Sequence, residues 1–321
     1  MKQLKPIFLP LLLINYSATH AIQHWYLNAI KKTTLSYKNK CRLITAVEAA
    51  KKAYLVTESL LSDKSYQEIK EEIEQKRTGI KQQYLQKEQQ ILSNLGKSLN
   101  LTEEEWLDCL QTISTLKQIA QEQHTHNDVI HDSAIPQKTL SFISQLLVTN
   151  GLNPKAINLV IKNSDNQDTL AVASTDLSYN YVPHKTSFMQ KPHIKQTITL
   201  YTCLMNHSSS YQLATCAHEV EHLCQGHSIV AAVIEQYTQH YLHYGKDSLK
   251  LNKEYHKLKV VHEEQAEIFA ALKNPTVAQA LVDMRSTNYY PKHLYAQHYH
   301  DLVEINNLWK VEEIVCVQYK K

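Results

Sequence analysis

Ala217-His218-Glu219-Val220-Glu221-His222-Leu223-Cys224-Gln225-Gly226-His227 carries the pattern His-Glu-x-x-His. On a helix His218 and His222 stand four residues apart, so both imidazoles project from one face. That spacing lets two ring nitrogens reach one zinc ion at about 2.0–2.1 Å each. Glu219 follows the first ligand and can approach the open position of the metal, where a carboxylate takes a proton from water. With 18 His in 321 residues, coincidental pairs occur. The rest of the chain must therefore decide between a metal centre and chance.

A hydrolytic zinc site needs three protein ligands and one open position. The metzincin solution requires Gly at position 225 and His at 228, where this chain has Gln225 and Ser228. The other solution is a glutamate on a later helix. Val261-His262-Glu263-Glu264-Gln265-Ala266-Glu267-Ile268-Phe269-Ala270 supplies one. Glu263, Ala266, Glu267 and Ala270 recur at helical spacing on one face. The small alanines let this helix come close to the first, so that Glu263 reaches the metal. Glu267, one turn on, is placed to orient a ligating imidazole from behind. A charged surface helix is the plain alternative for such a glutamate-rich segment.

These residues resemble the gluzincin metallopeptidases of the CAAX prenyl endopeptidase type, together with their soluble periplasmic relatives. The motif continues as His-Glu-x-x-His-x-x-x-Gly-His, and the family carries a further histidine where His227 stands. Its Glu-x-x-Ala-Asp matches Glu263 to Glu267, with glutamate at the last position. Thr199 to Met205 is similar to the strand and turn before the family's active-site helix, with Cys203 in place of a usual glycine. Ser286 to Pro291 sits where the family has Ser-Thr-His-Pro, with Asn288 replacing the histidine. The resemblance covers roughly residues 136–310. It implies one zinc ion per chain held by His218, His222 and Glu263, Glu219 as general base, and His227 and Glu267 as supports behind the ligands.

Length and composition frame the rest. A chain of 321 residues can hold two domains, each with a sizeable core. Only 5 Gly and 8 Pro, with abundant Leu, Lys, Gln and Glu, predict a helix-rich protein. The net charge is +3 with both signs mixed, and no basic stripe interleaves with aromatics, which argues against a nucleic-acid partner. Residues 1–21 read as a secretory signal peptide: a basic start, a short apolar run from Ile7 to Ile14, and small residues in Thr19-His20-Ala21 before a cut. A buried N-terminal helix or an uncleaved anchor is the alternative. No other segment is long and apolar enough to cross a bilayer. Residues 22–135 read as an all-helical region. Tyr66, Ile73, Ile80, Tyr84 and Ile91 form a weak apolar seam through Ser65–Leu95, broken by Arg77 and Lys87. That segment and Ala46–Leu61 read as a helical hairpin arm, either free for a partner or packed on the catalytic domain. Thr102-Glu103-Glu104-Glu105 is a capping box that starts a helix through Ala120. His124, His126 and His131 read as part of a polar loop.

His131 to Pro136 is the expected domain boundary, which leaves 136–321 as a zinc metallopeptidase domain. Within it a helix over 137–150 precedes three strand-like runs, Ile157–Ile161, Leu170–Thr175 and Ile194–Tyr201, which form a small sheet beside the motif helix. The fold class is α+β and mostly helical, with a zincin-like catalytic domain. A sheet edge there can hold an extended peptide by main-chain hydrogen bonds. His293, His298, His300, Tyr289, Tyr290 and Tyr295 are candidates for stabilising an oxyanion, and spacing does not choose among them. Of six cysteines, Cys216 and Cys224 lie about 12 Å apart along a straight helix, beyond disulfide reach. The expected function is a zinc-dependent endopeptidase acting on proteins or peptides outside the cytoplasm, periplasmic or secreted. The alternative is a periplasmic chaperone or assembly factor with a client-binding helical arm and a regulated or inactive zinc site.

Overall fold

The computed structural model describes residues 65–122, 131–163, 170–178, 192–242, 249, 252–287 and 296–319. Expectations for the signal peptide, for Ala46–Leu61, for His124 and His126 and for most of Ser286–Pro291 fall outside them. The chain divides into two units, one of residues 78–284 and one combining the described parts of 1–77 and 285–321. The boundary expected near residues 131–136 lies inside the first of these.

The fold is α+β and mostly helical. Helix α1 (Tyr66–Ser98) begins where Ser65 and Glu68 satisfy each other's backbone N–H groups. The two charges that break its apolar seam are both partnered. Arg77 donates to Glu312 at 2.7 Å and lies 3.6 Å over the Trp309 ring, while Lys87 meets Glu264 at 2.5 Å. Ile69 and Ile73 join Leu308, Val311 and Val315 of α8 (Ala296–Tyr319) in the core of the smaller unit. Ile91, Leu95 and Leu99 belong to the main core of the larger one.

In the larger unit, α2 (Glu103–Glu122) starts with the predicted capping box. Thr102 Oγ1 accepts from the Glu105 N–H, and Glu105 returns the bond to the Thr102 N–H at 2.7 Å. Trp106 packs its ring directly on Gly96, where a Cβ would meet the indole at 2.6 Å. Helix α3 (Gln137–Thr149) follows Pro136 and ends at Asn150-Gly151, as the composition predicts. The three strand-like runs become β1 (Ile157–Lys162), β2 (Ala171–Ser178) and β3 (His193–Tyr201). Their order is β1-β3-β2, with β1 parallel and β2 antiparallel to β3. Central β3 buries Ile194, Ile198 and Leu200 completely. Removing each such side chain from water contributes about 1.5–3 kcal/mol.

The His-Glu-x-x-His segment forms α4 (Ser209–Gln225), capped by Ser208, whose hydroxyl accepts from the Tyr211 N–H at 3.3 Å. Gly226 ends it in the left-handed conformation at φ 66°, and α5 (His227–Leu242) sets off in a new direction. Helix α6 (Lys253–Lys273), capped by Asn252, packs on α4, as α3 and β2 also do. Ala266 and Ala270 are buried in that packing, which is the close approach their size permits. Helix α7 (Pro275–Thr287) starts at the proline that ends α6. Among the described residues no helix is long and apolar enough to cross a membrane.

Gly226 carries a double constraint. Besides its positive φ, an added Cβ would lie 2.8 Å from Cγ of Lys117. Gly226→Ala is expected to destabilise the fold by about 1–2 kcal/mol from the left-handed backbone alone, lowering Tm by about 2–8 °C in a thermal melt. An unchanged melt would show that the α4–α5 turn can re-form without a glycine.

Candidate metal centre

Two helices and one strand assemble the site. Helix α4 presents His218 and His222 one turn apart, and α6 brings Glu263 across to them. The two Nε2 atoms are 3.0 Å apart. Glu263 places Oε2 3.1 Å from His218 Nε2 and Oε1 3.6 Å from His222 Nε2. A tetrahedral ion with bonds of about 2.0–2.1 Å holds its ligand atoms ~3.3 Å from one another, so the observed separations suit a small divalent cation. Among the described residues these three form the one group of this kind, their ligand atoms all within 4.8 Å of each other. The Glu263 side chain is 59% exposed, while both histidines are largely buried.

The electrostatics point the same way. Burial pushes the Glu263 carboxyl up, but hydrogen bonds and charge from His218 and His222 outweigh it and hold the group well below the usual carboxylate range. An ionised carboxylate facing two imidazole nitrogens is a donor set that could hold a cation of intermediate hardness.

Glu219 is buried beside the group, with Oε1 4.0 Å from His218 Nε2. Its other oxygen accepts the backbone N–H of Ala173 on β2 at 2.7 Å. Strand β2 is a sheet edge, and the bond to Glu219 shows this N–H pointing out of the sheet towards α4. A second tie, between Thr175 Oγ1 and Ser228 Oγ at 2.5 Å, pins the same edge to the start of α5. The carboxylate is thus held in one orientation by main chain.

His227 and Glu267, expected as supports, lie at different distances from the histidine pair. His227 is buried with Nδ1 3.0 Å from Nδ1 of His222. Glu267 is fully buried with Oε1 3.9 Å from Nδ1 of His218, within electrostatic reach but beyond a hydrogen bond. Of the oxyanion candidates, His298 and His300 lie on α8 of the smaller unit, and the other four fall outside the described residues. His131 forms an isolated parallel bridge with Leu159.

Behind His222 the structure gathers residues that the sequence reading passed over. Gln265, Glu88, His262 and Lys117 surround His227. Gln265 and His262 flank Glu263 and were within reach of a helical-wheel argument. Glu88 lies 177 positions from Gln265 and carries no local signal. The five described cysteines form no disulfide among the described residues, and burial pushes the thiols of Cys216 and Cys224 up to about 12, which disfavours the nucleophilic thiolate.

No known protein family, curated protein or solved structure matches the chain. The functional argument therefore rests on the site itself.

Proposed function

We propose that this chain is a zinc-dependent endopeptidase with a gluzincin-type centre in a zincin-like domain. The observation that carries the reading is the convergence of His218, His222 and Glu263 with Glu219 fixed beside them. A site built only to bind metal has no use for a buried carboxylate held beside it. Zinc bound there would supply a Lewis acid that acidifies water and polarises a carbonyl. Glu219 takes the proton of the attacking water and returns it to the leaving amine. Its bond from Ala173 keeps the carboxylate aimed while it changes charge.

The test is hydrolysis of an unfolded protein such as casein by zinc-loaded protein, with and without a chelator. Cleavage that stops on chelation and returns with zinc is expected. A chain that holds one zinc yet retains the unfolded protein uncut would overturn the peptidase reading in favour of a client-binding factor.

The proposed location, periplasmic or secreted, rests on residues 1–21. The mature protein purified from a secreting host is expected to begin at Ile22 by N-terminal sequencing. A mature chain that begins at Met1 would remove the argument for export.

A further inference from the structure

Beside the metal centre the larger unit holds a recess that the proposed chemistry does not use. Helices α3, α4, α6 and α7 meet around it, and it encloses about 480 Å³, part of it open to solvent. That is the size of a small-molecule site. Its walls are apolar: Phe142 and Leu146 from α3, Ala217 from α4, Ala270 from α6 and Val277 from α7. Ala217 and Ala270 leave room that larger side chains would fill. None of the metal ligands lines it.

One part of the wall is charged. Glu221 is 1% exposed. Its Oε1 accepts from Nζ of Lys273 at 2.6 Å, and its Oε2 accepts from the Gln225 amide at 3.2 Å. Lys273 also donates to Oδ1 of Asn150. An ammonium has three protons to donate and an ionised carboxylate about four sites to accept them. One proton of Lys273 and about two sites of Glu221 therefore remain beyond these bonds. Both side chains line the recess. Burying such a pair is costly unless its remaining capacity is met.

The charges select the chemistry of what would meet it. A cation could donate to Glu221 but would be repelled by Lys273. An anion could accept from Lys273 but would be repelled by Glu221. A neutral amide does both with one group: its N–H faces the carboxylate and its carbonyl faces the ammonium.

We propose that this recess is a binding site for a small neutral amide, its apolar part against Phe142, Leu146, Ala217 and Val277 and its amide group against the Glu221–Lys273 pair. The occupant touches α4 and α6, the two helices that carry His218, His222 and Glu263. The binding does not rest on the metal reading of the site.

Benzamide, benzoate and benzamidinium share one shape and differ in charge, and they test the proposal on the full, metal-free chain. Titrations followed by saturation-transfer NMR give the dissociation constants. Benzamide is expected to bind with a constant on the order of 1 mM, the strength that so small a molecule reaches. Each ion meets a like charge and is expected to bind at least about 10-fold more weakly. Thr149 is exposed at the rim, so Thr149→Trp covers the mouth without entering the core. It is expected to abolish benzamide binding and leave the thermal melt unchanged. Glu221→Gln removes the negative member of the pair and is expected to turn the preference towards benzoate. Equal binding of the three molecules would overturn the proposal, as would benzamide binding undiminished in Thr149→Trp, an unchanged preference in folded Glu221→Gln, or a recess that takes none of the three and holds only water. If Glu221→Gln does not fold, the wild-type series and Thr149→Trp still decide. A chain that binds benzamide but no zinc would leave this inference standing and defeat the proposed function instead.

Discussion

Glu263→Ala is expected to weaken zinc binding by more than about 100-fold. Substituting a partner behind the ligands costs roughly 10–100-fold in metal affinity, and a direct ligand must cost more. Two imidazoles alone leave the cation without a charged ligand. The fold should survive the change. Glu263 is 59% exposed on α6, its neighbours Ala266 and Ala270 make the contact with α4, and alanine is the better helix former. Losing the contacts of Glu263 with His218 and His222 is expected to cost about 0.5–1.5 kcal/mol, too little to unfold a domain of ordinary stability. Metal content after dialysis, a dye-competition titration and a thermal melt of the metal-free protein check the three statements together. Equal zinc affinity in wild type and variant would remove Glu263 from the site and leave the His218–His222 pair as an ordinary hydrogen-bonded contact on α4.

The elements that could be read in advance are those whose signal is local. The spacing of His218 and His222 is a property of one helical turn, and the turn forms. Thr102 and Glu105 cap α2 because both halves of the box lie three residues apart. The alternation of Ile194, Gln196 and Ile198 on β3 appears as burial with the same period. Glu263 was reachable only because alanines at Ala266 and Ala270 announce close helix packing, which is still a local pattern. What escaped is what the tertiary structure alone creates. Arg77 and Lys87 look like interruptions of an apolar seam until Glu312 and Glu264 arrive from distant helices to pair with them. Glu88 is one of many acidic residues in a charged helix until α6 brings Gln265 to it. The choice of β2 as the edge beside Glu219 likewise depends on strand order, which no run of residues encodes by itself. Glu267 illustrates the reverse case: the residue sits where its spacing puts it, yet 3.9 Å separates it from His218, because a helical wheel gives direction and not distance.

Glu219→Gln should separate chemistry from metal binding. Glutamine has nearly the shape of glutamate, and its amide oxygen can still accept the Ala173 N–H that fixes the side chain against β2. The ligand atoms of His218, His222 and Glu263 are untouched, so zinc content should remain at one per chain. What disappears is the capacity to accept a proton from water and return it to the amine. General acid–base catalysis of this type contributes about 10²–10⁴-fold, and the loss should fall on kcat with little change in KM, because the carboxylate acts on the reacting water rather than on the bound peptide. A variant that lost zinc as well as activity would instead assign Glu219 a supporting part in metal binding. A variant that cut at the wild-type rate would mean that another base serves the reaction. The informative pattern is the pair of results: full zinc with hydrolysis lowered by two to four orders of magnitude requires a carboxylate at the reacting centre, and Glu219 is the buried carboxylate that β2 holds beside His218.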